Sequence, residues 1–197
     1  MKKIIFLFTL IIVLIELTFW ANPIQNLTNI NSGAFFKHAS LDSLYTTLKN
    51  RPIIFYSRGH YGYGWSLIAR MDSTYSIYSG HVSYSGEFYI DKTPEGLPFD
   101  TTKLISVNSA LLSWAFDSIS VQAVNMKKVN RTPYLSLWTD LSVFNSDSEN
   151  IFNSDNAVAF AGKDSLAFNK KFNKLCLIMW WLSDSRIREY IPDSAIY

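Results

Sequence analysis

Cysteine is all but missing from this chain of 197 residues, Cys176 being the only one. An internal disulfide is thereby excluded, and so is a lipid-modified cysteine at the N-terminus. An excess of one charge is missing too, since 18 Lys and Arg against 16 Asp and Glu leave a net charge of +2. That is not the balance of a nucleic-acid-binding protein, whose basic excess has to neutralise phosphates. Histidine occurs only as His38, His60 and His81, too few and too scattered for a zinc site that needs three or four ligands.

The motifs of catalysis and cofactor binding are also lacking. Gly64-Trp65-Ser66-Leu67-Ile68 has no second glycine and leads into a strand pattern, whereas a nucleophile elbow needs a strand-to-helix turn. Gly62-Tyr63-Gly64 lacks the third glycine and the following helix that would hold a dinucleotide pyrophosphate. Asn145, Asp147 and Glu149 alternate as in a calcium loop, but Asn150 stands in place of the turn glycine and Asn156 in place of the closing glutamate. Cys176 lies among Leu175, Leu177, Ile178 and Met179, apolar neighbours that do not stabilise a thiolate, and is expected to be a buried, inert core cysteine. No catalytic residue, cofactor or metal ligand is assigned from the sequence.

What the chain does have begins at its first residues. Met1-Lys2-Lys3 precedes an apolar run from Ile4 to Ile15 broken only by Thr9, and a mixed stretch with Glu16 ends at Ala21. A charged start followed by an apolar segment of this length predicts export, with Lys2 and Lys3 left inside. Cleavage after Ala21 puts a small residue at the last position, although Phe19 is bulky for its place. The alternative is an uncleaved anchor, residues 4–21 being just long enough to cross a bilayer. Residues 1–21 are thus a signal peptide or an N-terminal membrane anchor, and the membrane is met only through them. Without them the net charge is +1. Asn26 and Asn130 open glycosylation sequons, relevant if the host glycosylates exported chains.

Residues 22–33, rich in Asn, Thr and Ser, read as a linker, and 34–197 as a single α+β domain. With no covalent help its stability has to come from packing, for which an aromatic content of 16% supplies large buried areas. Ser40 caps a helix over 41–49, with Leu41, Leu44, Tyr45 and Leu48 on one face and Asn50 and Pro52 ending it. From Pro52 to Ile90 the period is two, predicting an antiparallel meander of strands at 53–58, 65–71, 74–79 and 82–90. A glycine-rich loop, an Asp72-Ser73 turn and a Gly80-His81 turn join them, and Gly86 marks a bulge. Residues 91–99 are loop.

Asp100 caps a helix bearing Leu104, Val107, Leu111 and Trp114 on one face. Residues 117–125 fit helix or strand, 134–141 a strand, and 145–156 a polar surface loop. Asp164 caps a helix through Phe168, Phe172, Leu175, Met179 and Leu182, apolar on every side from 175 to 182 and therefore buried. A short helix restarts at 183–185 and stops at Pro192. The expected architecture is an antiparallel β-meander of about four to six strands packed against two or three helices, which cover one face.

One stretch stands out chemically. Arg58-Gly59-His60-Tyr61-Gly62-Tyr63-Gly64-Trp65 sets a guanidinium, an imidazole and three rings in a glycine-hinged loop, and rigid amphipathic rings are what binding loops use. Following the strand directions brings His81 to the same end of the sheet. Arg58, His60, Tyr61, Tyr63, Trp65 and His81 are therefore the candidate ligand-binding residues, the arginine for an anion and the rings for a sugar or peptide. The function expected is that of an exported protein, periplasmic, secreted or anchored facing away from the cytoplasm. It is a non-enzymatic binding or accessory module for an unknown envelope ligand or protein. The alternatives are a hydrolase using His60 as general base and a purely structural envelope protein.

Overall fold

Val, Ile, Tyr, Phe and Trp at alternate places favour a pleated, half-buried surface, and the chain folds accordingly. The computed structural model describes residues 47–58, 64–82, 88–92, 99–130, 139–184 and 187–197, all within one unit, Thr47–Tyr197. The first four strands are β1 (Ile53–Arg58), β2 (Gly64–Arg70), β3 (Tyr75–Val82) and β4 (Phe88–Lys92). They form the expected antiparallel meander. Strands β6 (Thr139–Phe144) and β7 (Asn150–Asn153) extend it beyond β1, giving a six-stranded antiparallel sheet in the order β4-β3-β2-β1-β6-β7. Strands β5 (Lys127–Asn130) and β8 (Ala157–Ala161) pair separately. With four α-helices among the described residues, α1 (Thr101–Asp117), α2 (Ile119–Ala123), α3 (Ser165–Ser183) and α4 (Asp193–Ile196), the class is α+β.

Several local expectations are corrected. Gly80 and His81 are not a turn: β3 runs on through them to Val82. A Cβ on Gly80 would overlap the Tyr89 carbonyl oxygen of β4 and lie 2.6 and 2.7 Å from two atoms of the Trp65 indole, so this glycine serves close approach of strand and ring rather than chain reversal. Residues 145–156 are not one loop, because β7 lies inside them. The Asn145 side chain accepts from the Asp147 and Glu149 amides at 3.0 and 2.9 Å, closing a β6–β7 hairpin that composition alone reads as solvated coil. Residues 119–123 are helical, and β5 and β8 had no signal strong enough to predict them.

Asp100 does cap α1, accepting from Lys103 N at 3.0 Å. Leu104 and Trp114 are buried as expected, together with Asn108, Leu112, Ala115 and Phe116, whereas Val107 is 54% exposed. Asp164 precedes α3 in the left-handed region, φ 61°, and makes no side-chain cap bond. The short helix expected after Ser183 is a 3₁₀ helix at Ile187–Glu189, ending before Pro192, with Ser185 and Arg186 outside the described residues. Of the helix expected over 41–49, Thr47 and Leu48 are helical and Asn50 leaves with φ 62°. Residues 41–46 lie outside the described residues, as do the signal or anchor segment, the linker, Gly86 and residues 134–138.

The core forms where α1 and α3 cover the sheet. Ile54, Tyr56, Ile68, Ile77, Leu141 and Val143 point to them from alternate strand positions, and a ring cluster fills the centre. Phe168 lies 4.8 Å from Phe160 and 5.4 Å from Trp114, ring centre to ring centre. The opposite face is buried as well, through Ile53, Phe55, Trp65, Leu67, Tyr78 and Phe144, so the sheet is dry on both sides rather than one. Tyr197 follows α4 and is held by Lys103 over its ring, while Lys174 and Asn108 donate to the Ile196 carbonyl at 3.1 and 3.0 Å. Among the described residues no helix is long and apolar enough to cross a membrane.

Candidate functional site

Helix α3 sits directly on β2. Ser66 Oγ donates to the Met179 carbonyl at 2.7 Å, and Gly64, having no side chain, lets the Ser183 backbone come down onto it. This close approach fixes the last turns of α3, whose outer side faces the end of β1 and the β7–β8 turn. Between them lies a half-open cleft of about 220 Å³.

One wall of the cleft is cationic and aromatic. Arg58, the last residue of β1, lays its guanidinium over the Trp180 ring, 4.1 Å from the centroid. No carboxylate among the described residues pairs with it. Stacking uses the flat face of a guanidinium and leaves its N–H edges for other partners. The Trp180 indole N–H is buried and has no acceptor. Cys176 lies one helical turn before Trp180 on the same side and also lines the cleft. It is partly exposed rather than buried, so the expectation of a core cysteine is corrected: α3 turns its apolar side chains toward the cleft as well as the core.

The floor is Ser154 with Asp140 behind it. Ser154 Oγ accepts from Leu141 N at 2.9 Å and donates to Asp140 Oδ1 at 3.2 Å, and Asn156 N donates to the same oxygen at 3.3 Å. Burial pushes the Asp140 carboxyl up to about 6, against the pull of these hydrogen bonds. The rest of the lining is largely apolar, with Leu141, Val158, Phe172 and Leu177, and Asn173 lies at the exposed rim.

A folded pKa near 6 against an ordinary 3.8 has a definite sign. The folded state takes up the proton first, so this contribution to stability is complete below about 3.8 and lost as the pH rises through about 6. Asp140→Asn is expected to remove it. Urea unfolding of both proteins should show the wild type losing on the order of 2 kcal/mol relative to the variant between about pH 4 and about pH 7. A pH-independent difference would show that Asp140 titrates normally.

Of the three candidate residues among those described, Arg58, Trp65 and His81, Arg58 alone lines this cleft. His81 pairs with Gly64, which puts it at the Arg58 end of the sheet, where it stacks on Tyr89 at 5.1 Å between ring centroids. Trp65 is at this end too but on the opposite face, 2% exposed, stacked on Phe55 and donating to the His81 carbonyl at 3.3 Å. His60, Tyr61 and Tyr63 lie outside the described residues. The sequence reading missed Trp180, Asn173 and Ser154. The i, i+4 spacing of Cys176 and Trp180 was a visible signal, hidden in a run that looked wholly buried.

Comparison with protein-family models, curated proteins and solved structures finds no match to this chain. The cleft therefore stands on its own chemistry. Among the described residues no group of three His, Cys, Asp or Glu could hold a metal ion.

Proposed function

We propose that this protein is a binding module acting outside the cytoplasm, and that the cleft between β1 and α3 takes up its ligand. The observation that carries the reading is the Arg58 guanidinium, seated over the Trp180 ring in the cleft wall with no carboxylate of the described residues to neutralise it. A concave recess that sets polar groups such as Arg58, Ser154 and Asn173 among apolar side chains is the usual form of a small-molecule site. The use of the polar groups favours binding over chemistry. Ser154 is 1% exposed, its Oγ engaged by Leu141 N and Asp140, so the hydroxyl is not presented to a substrate carbonyl. The hydrolase alternative rests on His60, outside the described residues. Export rests on the apolar N-terminal run.

The test fills the cleft. Asn173 is exposed at its rim, so Asn173→Trp is expected to fold normally and to abolish the NMR shift changes that small-molecule ligands cause at Ser154, Cys176 and Trp180. Ligands that shift these residues equally in the variant would place the site elsewhere. A reporter fused after Tyr197 is expected to be active only beyond the cytoplasmic membrane, and a cytoplasmic signal would remove the export half of the reading.

A further inference from the structure

We propose that the cleft's ligand is a small monocarboxylate on a flat apolar ring, its carboxylate on the edge of Arg58 and its ring against the apolar lining. This rests on the cleft being the ligand site and names the class of ligand it takes.

Charge comes first. A guanidinium stacked on an indole has given up one face but none of its donors, and its fixed fork matches the two oxygens of a carboxylate. Asp140 is the acidic group nearest the cleft floor, but it directs an oxygen at Ser154 Oγ and the Asn156 amide, so it is engaged on its own side of Ser154. The counter-charge to Arg58 is left for the ligand. A phosphate dianion would want a second cation beside Arg58, and the lining holds none, its other side-chain N–H groups being the Asn173 amide and the buried Trp180 indole.

Shape and polarity decide the body of the ligand. Leu141, Val158, Phe172 and Leu177 offer no hydrogen bonds, and polar groups buried against them would lose those they make to water, at about 1–3 kcal/mol each. The part of the ligand that meets this side of the cleft is therefore apolar. The volume of about 220 Å³ lies below the usual range of about 300–1,000 Å³ for drug-sized ligands. One ring and a short acidic arm fit such a space.

The experiment compares phenylacetate with its neutral isostere phenylacetamide, titrated into the full chain as recovered after export and followed by amide and indole NMR shifts. Phenylacetate is expected to shift Ser154, Val158, Cys176 and the Trp180 indole, and to bind at least about tenfold more tightly than the amide. Arg58→Gln should erase that preference and Arg58→Lys should keep part of it. Equal binding of acid and amide at the cleft would overturn the proposal while leaving the cleft as the site. Absence of binding by either would overturn the proposal too, and binding that persists in Asn173→Trp would overturn both.

Discussion

Phe168→Ala is expected to destabilise the protein by about 3–5 kcal/mol, the range for deleting a buried aromatic side chain. Phe168 is 2% exposed and touches rings from four directions. Trp114 on α1, Phe152 on β7, Phe160 on β8 and Phe172 on α3 have centroids 5.4, 6.5, 4.8 and 6.2 Å away. No neighbouring side chain is free to swing into the space, since those rings already pack on one another. The cavity would therefore stay open, and its cost adds to the lost transfer energy. Urea unfolding should show the midpoint falling with little change in slope. Phe168→Leu, which keeps most of the volume, should cost far less. A loss below about 1 kcal/mol for Phe168→Ala would mean that the helices and the small β5–β8 sheet do not share this core.

Gly64→Ala should be nearly as costly, about 3 kcal/mol, for the opposite reason: the added methyl has nowhere to go. Its Cβ would overlap the Ser183 carbonyl oxygen and come within 2.8 Å of the carbonyl carbon. Backbone, unlike a flexible side chain, cannot step aside alone, and this helix end is tied down. Arg188 donates to the Trp181 and Leu182 carbonyls at 3.0 and 3.2 Å, and Ser183 Oγ to the Trp180 carbonyl at 2.9 Å. Relief would lift the last turn of α3 from the sheet and carry Trp180 away from Arg58. Thermal unfolding and ligand titration should thus both suffer, whereas Phe168→Ala should chiefly affect stability. If Gly64→Ala lowered neither, α3 would not rest on β2 through this contact.

The surface ion pairs carry much less. Arg51 and Asp72 pair beside the β2–β3 turn, and Arg70 makes a two-pronged contact with Asp117 at 2.8 and 2.9 Å while lying over Phe116. The hydrogen bond from Arg70 holds the Asp117 carboxyl below its usual range. Both pairs are open to water, where screening leaves such contacts little net energy.

The class and the main elements were legible because they depend on local pattern. A period of two marks β1 to β4, a period of 3.6 marks α1 and α3, and glycine, proline and asparagine punctuate them. Export is likewise a reading of the sequence alone, since the apolar run at residues 4–15 lies outside the described residues. The boundaries that failed did so for tertiary reasons. Gly80 looks like a turn residue in any local window, and only the Tyr89 carbonyl of β4 and the Trp65 indole crowding it explain a glycine inside a strand. Residues 150–153, Asn-Ile-Phe-Asn inside an Asn-, Ser- and Asp-rich stretch, become β7 because the edge of β6 supplies a partner for their backbone, a long-range term that the composition of the stretch does not carry.

The candidate site divides in the same way. Arg58 could be singled out from its neighbours in the chain, since a cation beside glycines and rings is a local fact. Its stacking partner could not: Trp180 stands 122 residues further along and reaches Arg58 only because Gly64 lets α3 settle onto β2. The sequence by itself determined the α+β class, the main strands and helices, the packing-based stability of a chain with one cysteine, and Arg58 as a binding candidate. Only the tertiary structure decided that both faces of the sheet are buried, that Cys176 lines a cleft, that Trp65 and Arg58 lie on opposite faces, and that Asp140 sits behind Ser154 with a raised pKa. Periodicity records which side of an element is apolar, but burial, close approach and the desolvation of a charge depend on which element arrives on that side.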